Sequence, residues 1–219
     1  MNTESYRALY LGGSGEIVEK KSRFIATLLP VGSEEEALSF IEQTKKKYWD
    51  AKHNCSAYVI GRDNEPARCS DDGEPPRTAG RPMLDILLAE GIHNAAVVVT
   101  RYFGGVLLGA GGLVRAYQAA VKEGLAHCTV IEKHFGRRLV IRTDYGGIGK
   151  LQYIAAQEGI SILSSEYADA VTVTLFVSPR EEELLTRRFT EATAGRAVIT
   201  PGESAWYSIQ NGELLLFED

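Results

Sequence analysis

Three segments in the first half of the chain have the hydrophobic pattern of β-strands. Residues 16–31 are extended and β-rich in character. Residues 53–61 alternate apolar and polar positions, which places four side chains on one face of a strand: His53, Cys55, Ala57 and Val59. Residues 95–103 form a continuous apolar run, typical of a strand that is buried on both faces.

Helical patterns separate these strands. Ser33 with Glu36 three residues later predicts a capping box, followed by a buried stripe of Leu38, Ile41 and Tyr48. Pro82 is suited to a first helical position and Gly91 to a stop, with residues 62–80 before them as a long polar loop. A third helix follows Gly112 with one apolar face, formed by Leu113, Ala116, Tyr117, Ala120 and Val121.

The pattern restarts near residue 135 and predicts a second domain. In order, we expect a strand at 137–144, a helix at 149–158, strands at 160–165 and 170–178, a helix at 179–192 and final strands within 206–217. The order βαββαβ is that of a ferredoxin-like domain. The chain is therefore predicted to be an α+β protein of two domains, residues 1–135 and 136–219.

Composition narrows the class of protein. The net charge of −5 argues against a generic polyanion binder, so a nucleic-acid surface would be a local basic patch. The three cysteines are sparse and never spaced as CxxC, which predicts a reducing compartment and no disulfide partner. No segment has the length of a membrane span or the pattern of a signal peptide. We expect a cytoplasmic protein with no membrane partner and no cofactor.

The acidic loop, residues 70–80, is the first candidate site. It carries Asp71, Asp72 and Glu74 close together, and carboxylate oxygens are ligands that Mg²⁺ prefers. The loop lacks the calcium-loop pattern of an EF-hand. Its Asp-Gly and Pro-Pro pairs are also ordinary turn chemistry, so a plain surface turn remains an alternative.

The glycine-rich turn, residues 104–112, is the second candidate. Glycines let backbone amides approach an anion, and the following helix N-terminus adds partial positive charge. The glycines also suit tight packing of helix on sheet, and that alternative stays open. Nearby cationic and aromatic residues suit phosphate contact and base stacking: Lys52, Arg77, Arg81, Arg101, Tyr102 and Arg115.

His53 and Cys55 form the third candidate, because they share one face of a predicted strand. Such a pair can act in nucleophilic catalysis or bind a metal when a third group is present. A histidine at a strand start and a buried free cysteine are equally common without any chemistry.

Several motifs together resemble the IMPACT/YigZ family. They are Lys21-Ser-Arg-Phe24, Ala51-Lys-His-Asn54, Ser70-Asp-Asp-Gly-Glu-Pro75, Thr78-Ala-Gly80 with Pro82, and Arg101-Tyr-Phe-Gly-Gly105 continuing through Leu108-Gly109 and Gly112-Leu113. They occur in order over most of the first domain. One departure is Pro76-Arg77, where the family usually has a small residue and glycine before Thr-Ala-Gly. Arg77 therefore gains no support from the resemblance.

The resemblance implies a fold for each domain. The first domain is expected to be like the second domain of ribosomal protein S five and domain IV of elongation factor G, with a left-handed βαβ crossover, an exception to the usual hand. The second is expected to be like domain V of the same factor. Eukaryotic members regulate translation through an additional N-terminal domain, and the partner of that domain is not expected here.

The favoured hypothesis is a non-enzymatic protein that binds nucleic acid or the ribosome and is linked to translation and its regulation. RNA or ribosomal contacts are assigned to Arg23, Lys52, Arg101, Tyr102, Gly104, Gly105, Gly109, Gly112 and Arg115. One alternative is a metal-dependent hydrolase or phosphotransferase that uses His53, Asp71, Asp72 and Glu74. Another is a protein–protein adaptor with an apolar patch on the ferredoxin-like sheet.

Overall fold

The computed structural model describes residues 5–63 and 66–217. Their contacts divide into two compact units, one from Tyr6 to Glu132 and one that contains the chain from Lys133 onward. The mixed α+β, two-domain architecture predicted from the sequence is confirmed.

The N-terminal unit is built on an antiparallel sheet of five strands. Its elements are β1 (Ser5–Leu11), β2 (Gly13–Glu19), β3 (Ser22–Pro30), α1 (Glu34–Lys47), β4 (His53–Val59), β5 (Ala67–Ser70), α2 (Gly80–Ala89), β6 (Ile92–His93), β7 (Ala95–Tyr102) and α3 (Ala110–Ala126). The strand order is β2-β3-β7-β4-β5, and β1 pairs in parallel with the short β6. Strands β3 and β4 both run antiparallel to β7, so β3, α1 and β4 form a βαβ unit across it.

Strand β7 shows how helices cover both faces of this sheet. Ala96 and Val98 pack in a cluster with residues of α1, whereas Val97 and Val99 belong to the larger cluster with α2 and α3. Because side chains alternate along a strand, the residue two after Val99 also lies on the α2–α3 face. That residue is Arg101, and this is why a charged side chain at the strand end is buried.

The first helix has the predicted Ser33 N-cap but only half of the predicted capping box, and its buried stripe differs in part from the prediction. The Ser33 hydroxyl accepts a hydrogen bond from the Glu36 amide at 3.2 Å. The Glu36 carboxylate accepts from the Gly32 amide, one residue before the cap. The prediction that Leu38 is buried was wrong, since it is 51% exposed. Ile41 is buried as predicted, together with Ala37, Phe40 and Thr44, whereas Tyr48 is half-buried and follows the helix as its C-cap.

The interpretation of residues 62–80 as loop throughout was also wrong. Strand β5 forms within it and pairs with β4 through four register positions from Ser70 to Ala67. Helix α2 begins at Gly80, so Pro82 is its third residue rather than its first. Gly91 follows the end of α2 with a φ of +62°, the left-handed conformation expected of a helix stop.

The C-terminal unit has the predicted βαββαβ order. Its elements are β8 (Thr129–Thr143), which begins in the N-terminal unit, α4 (Tyr145–Gln157), β9 (Ile162–Tyr167), β10 (Val171–Val177), α5 (Pro179–Ala192), β11 (Val198–Gln210) and β12 (Glu213–Phe217). Strand β8 lies between β11 and β10, and β9 lies beside β10. The last strand of the motif thus pairs with the first, as in a ferredoxin-like sheet, and β12 extends β11 as a hairpin.

Caps define the helices of this unit. Asp144 accepts a hydrogen bond from the Gly147 amide at 2.7 Å, so α4 begins four residues earlier than predicted. Helix α5 has the predicted capping box, formed by Ser178 and Glu181. Among the described residues, no helix has the length and apolar character required to cross a membrane.

Candidate functional site

Asp71 of the acidic loop caps helix α2. One carboxylate oxygen accepts from the amides of Ala79 and Gly80 at 3.0 and 2.9 Å, and the other accepts from the Arg77 amide at 2.8 Å. The N-cap residue of α2 is Ala79, whose side chain cannot accept a hydrogen bond. Asp71 therefore supplies from outside the helix the acceptor that a cap normally provides, and its charge complements the helix dipole.

Asp72 joins the loop to α1 and β4. Its two oxygens accept from Lys45 Nζ at 2.6 Å and from the Asn54 amide at 2.7 Å. Burial alone would raise the pKa of Asp72, but these hydrogen bonds and the Lys45 charge outweigh it and lower the pKa. The backbone carbonyl of Asp72 accepts from His53 Nδ1 at 2.8 Å, so Nδ1 is the protonated ring nitrogen.

Glu74 is buried in an ion pair. Its Oε1 accepts from Arg101 Nη1 at 2.5 Å and from the Tyr117 hydroxyl at 2.9 Å. The Glu74 and Arg101 side chains are only 3% and 8% exposed. Burial, with the adjacent Cys55 and Glu74, raises the pKa of Tyr117, which keeps its hydroxyl protonated as a donor. Breaking such a pair leaves an uncompensated buried charge.

The three carboxylates therefore do not form the magnesium site that was one alternative for the acidic loop. Asp71 faces the start of α2, Asp72 faces Lys45, and Glu74 faces Arg101. The part of the chain that the structure describes holds no group of three or more His, Cys, Asp or Glu able to bind a metal ion. Each carboxylate is already used by a protein donor, which is the physical reason that the ligand set is not assembled.

The His53–Cys55 pair is likewise committed to the fold. The Cys55 thiol is fully buried and donates toward the Asp71 carbonyl at 3.0 Å, with the Tyr117 hydroxyl at 3.3 Å. Burial raises the pKa of Cys55 to about 12. A thiol held in this form is a poor nucleophile and a poor metal ligand at neutral pH.

Arg101 is a buried cation with one unused donor. Its guanidinium lies 5.3 Å from the centroid of the Phe24 ring and 5.6 Å from that of Phe103. Nη2 is 3.5 Å from the Ser22 hydroxyl, at the limit of a hydrogen bond. Nε is buried and has no hydrogen-bond partner within residues 5–63 and 66–217. A buried donor left in this state costs about 1–3 kcal/mol.

The glycines of the glycine-rich turn have different functions. A Cβ on Gly104 would lie 2.0 Å from the backbone carbon of Lys21, so Gly104 is required for close packing. Gly105 and Gly109 have φ values of +83° and +73° with open space around them. On Gly112, a Cβ would lie 3.0 Å from the Leu108 Cβ. Gly104 is therefore a glycine because of close packing, as one alternative had proposed. Gly109 is a glycine because the backbone before α3 has a positive φ.

Helix α3 begins without a side-chain cap. Its N-cap is Gly109, and its first turn contains neither Asp nor Glu. Within the described ranges, no side chain accepts a hydrogen bond from its first amides. The first four amides of a helix have no partner within the helix, and they carry the positive end of the dipole. The start of α3 is thus an electropositive backbone surface.

A pocket of about 390 Å³, called here the α3 pocket, lies at this helix start. Its charged and polar lining comes from Lys52, His53, Glu74 and Arg101. Gly109 and Ala110 contribute the beginning of the helix. All of these residues belong to the candidate sites predicted from the sequence, Ala110 as a member of the glycine-rich turn.

The rest of the α3 pocket is apolar and was not predicted. Phe103, Leu107, Leu108 and Leu113 contribute to its walls. Leu107 is 82% exposed and Phe103 is 47% exposed, so both stand at its mouth. Tyr117 and Ser22 also support the site and had carried no functional prediction. The alternation of β7 was the available signal, because it places Arg101 on the face that α3 covers.

The remaining predicted residues lie elsewhere in the N-terminal unit. Arg23 and Tyr102 are register partners on neighbouring strands, and the Arg23 guanidinium is 5.8 Å from the Tyr102 ring centroid. Strand alternation places Tyr102 on the face opposite Arg101. Its hydroxyl donates to Asp50 at 2.9 Å. Arg115 is exposed on α3 and does not line the α3 pocket.

The fold and site together define a class: a two-domain α+β protein whose first domain carries a cationic pocket beside an uncapped helix. Residues 20–125 match the Impact N-terminal domain, and residues 141–196 match a domain of unknown function, DUF1949. The IMPACT family member YvyE of Bacillus subtilis (strain 168) is 42% identical over 199 residues, which cover 91% of this chain and 92% of that protein. The chain belongs to the IMPACT family, and the resemblance seen in its motifs is confirmed.

Two further comparisons bear on the family. A crystal structure of a hypothetical protein has a TM-score of 0.58 and 30% identity, covering 92% of this chain and 98% of that chain. Protein IMPACT of Homo sapiens is 34% identical over 98 residues, which cover 42% of this chain and 30% of that protein. The likeness to the human protein is thus confined to part of each chain.

Proposed function

We propose that the N-terminal unit binds RNA, including RNA of the ribosome, through a basic end of its sheet. We name this surface the basic sheet end and define it as Lys20, Lys21, Arg23, Lys52 and Tyr102. The observation that carries the proposal is the grouping of exposed cations at one end of three adjacent strands, with Arg23 over the Tyr102 ring. Cations with interleaved aromatic rings suit phosphate contact with base stacking.

Strand register brings these residues together. Arg23 near the start of β3 pairs with Tyr102 at the end of β7, and His53 at the start of β4 pairs with Arg101. Lys52 therefore precedes β4 beside the same end of β7. Lys21 is held there as well, because its backbone packs against Gly104.

The electrostatics of this surface are mixed. Lys20, Lys21, Arg23 and Lys52 are all exposed. Arg23 is paired with Glu16 at 2.7 Å, so part of its charge is already balanced. Within the described ranges, no carboxylate lies within ion-pair distance of Lys21 or Lys52. These two lysines are therefore the expected phosphate contacts, and Arg101, which is buried with Glu74, is not one of them.

Family membership supports a link to translational regulation. The Impact N-terminal domain match includes every residue of the basic sheet end. Eukaryotic IMPACT proteins, to which the family resemblance pointed, are translational regulators. We also propose a cytoplasmic location, because ribosomes are the proposed partner.

An RNA titration at two salt concentrations tests the proposal. The probes are a fluorescent structured RNA hairpin and purified ribosomes, each with the full chain. We expect Lys52→Glu to weaken binding and to reduce the dependence of log affinity on log salt by about 0.7–0.9, the loss of one phosphate contact. Lys122→Glu is the matched control, because Lys122 is an exposed lysine near the other end of α3.

Two results would contradict RNA binding at this surface. The first is equal affinity of the parent, Lys52→Glu and Lys122→Glu for both probes. The second is no measurable binding by the parent even at low salt, where electrostatic contacts are strongest.

A further inference from the structure

We propose that the α3 pocket is a binding site for a 5′-phosphorylated nucleoside, with the phosphate at the start of α3 and the base against Phe103. The α3 pocket shares only Lys52 with the basic sheet end. The proposal for the pocket does not depend on RNA binding at the basic sheet end. Four independent features of the pocket support this assignment.

The first feature is the uncapped start of α3. Gly109 and Ala110 line the pocket, so the beginning of a helix of 17 residues forms part of its wall. Helix α2 in the same unit receives the carboxylate of Asp71 at the equivalent place. An anion at the start of α3 would supply the corresponding acceptor, which is the usual basis of phosphate binding by helices.

The second feature is the unused donor of Arg101. The residue is 6% exposed and lines the pocket, and its Nε has no partner within the described part of the chain. The pair with Glu74 uses Nη1, which leaves the Nε–H available. Buried donors normally have partners. Nε is covered by protein atoms in this structure, so a small shift of the Arg101 side chain toward the pocket would be needed for a ligand oxygen to accept from it.

The third feature is the balance of charge around the pocket. Lys52 and Arg101 bring two positive charges, and Glu74 brings one negative charge that is already bound by Arg101 and Tyr117. His53 adds a ring whose Nδ1 is occupied by the Asp72 carbonyl, so Nε2 is its free position for a ligand. The surplus charge is positive, as a phosphate monoester requires.

The fourth feature is the apolar mouth. Phe103 and Leu107 are large, exposed side chains, and Leu108 and Leu113 continue the same wall. Inorganic phosphate would leave this wall in contact with water, whereas a flat aromatic base would cover it. A base on the Phe103 ring would stack as bases do on aromatic side chains in nucleic-acid-binding proteins. The volume of about 390 Å³ lies within the range of about 300–1,000 Å³ that small-ligand pockets occupy.

Isothermal titration calorimetry of the full chain tests the assignment, with adenosine 5′-monophosphate, adenosine and inorganic phosphate as probes. We expect the monophosphate to bind at least about tenfold more tightly than adenosine, because charge-assisted hydrogen bonds to the phosphate are lost with the latter. We also expect inorganic phosphate to compete with it. Equal affinity for adenosine and its monophosphate would overturn the proposal.

Ala110→Glu separates the site from the stability of the fold. Ala110 is exposed at the first position of α3, where a carboxylate favours the helix but occupies the anion site. We expect this variant to fold at least as stably as the parent and to lose at least about tenfold in affinity for adenosine monophosphate. The matched control is Ala119→Glu, an exposed position further along the same helix, which should bind as the parent does.

A second variant tests the position of the base. Phe103→Ala is expected to bring the affinity for adenosine monophosphate close to that for inorganic phosphate, since stacking contributes only to the former. If Ala110→Glu binds like the parent, or if Phe103→Ala leaves the preference for the nucleotide intact, the proposed pose is wrong.

The source of the nucleotide is resolved by a third comparison. The probes are a short RNA with a 5′-monophosphate and the same RNA with a 5′-hydroxyl. The affinity of each RNA is measured for the parent and for Ala110→Glu. A phosphate-dependent affinity above that of adenosine monophosphate assigns the site to an RNA 5′ end. A lower affinity assigns it to a free nucleotide. RNA binding that is lost in Lys52→Glu but unchanged in Ala110→Glu, with no monophosphate binding, would support the basic sheet end and refute the pocket.

Discussion

Helices α2 and α3 both follow small N-cap residues, Ala79 and Gly109, which provide no side-chain cap. The amides at the start of α2 are nevertheless satisfied, because Asp71 reaches them from the acidic loop. In the part of the chain that the structure describes, the start of α3 receives no carboxylate, and it lines a pocket instead. The two helix starts are chemically similar, but the acceptor for the backbone amides comes from the protein only at α2. The comparison indicates that a helix start without a protein acceptor is the better candidate for binding an anion.

Glu74 links the two helix starts, and its removal is expected to have the largest effect. It belongs to the loop that caps α2, but its carboxylate lies in the α3 pocket with Arg101. Glu74→Ala leaves the buried Arg101 without its counter-charge and should lower the free energy of unfolding by about 3–5 kcal/mol. Urea denaturation measures this loss. The control Glu42→Ala, an exposed partner of Lys46, should change it by less than about 0.5 kcal/mol. Equal effects of the two substitutions would show that the buried pair does not stabilise the unit.

The cap of α2 is expected to have an intermediate effect. Asp71→Ala removes the acceptor of three backbone amides and should cost about 1–2 kcal/mol of unfolding free energy. Ala110→Glu adds a carboxylate to the start of α3 and should change stability in the opposite direction, by about 0.3–1 kcal/mol. Thermal denaturation of the two variants beside the parent measures both signs. If both substitutions changed the melting temperature in the same direction, the proposed difference between the starts of α2 and α3 would be wrong.

Asp72 gives the smallest effect, and it depends on pH. The pKa of Asp72 is lowered in the folded state despite its partial burial, through Lys45 and the Asn54 amide. Its contribution to stability is therefore present above the unfolded pKa, about 3.9, and is lost as pH falls through the folded pKa. The melting temperature of the parent should exceed that of Asp72→Asn at pH 6, and the gap should close below about pH 4. Asp63→Asn, at an exposed carboxylate, is the control. A constant gap across this range would contradict the assignment.

Much of the fold could be predicted because its signals are local. The capping box of α5 lies within four consecutive residues, and the buried run at β7 is continuous in the chain. Strand β5 was missed because it is short and exposed, and its existence depends on pairing with β4. Leu38 was assigned to the wrong face because the sheet selects Ala37 and Phe40 through contacts distant in sequence.

The candidate site was located from the sequence, but its chemistry was not. Glu74 looked like a metal ligand because its partners lie far along the chain, 27 residues away for Arg101 and 43 for Tyr117. The partners of Asp71 are nearby backbone amides, which the side-chain pattern does not show. Gly104 and Gly109 looked alike in one dimension. Only the approach of the Lys21 backbone separates a glycine required by packing from one required by conformation.

The buried thiol of Cys55 has a consequence for how the acidic loop can be followed. The Cys55 side chain is fully buried, and burial raises its pKa to about 12, so the thiol stays protonated and shielded from oxidants and alkylating agents in the folded protein. The thiol donates to the carbonyl of Asp71, the residue that caps α2. Chemical labelling of Cys55 therefore requires the acidic loop to open. The rate at which Cys55 is labelled would then measure how often the loop opens.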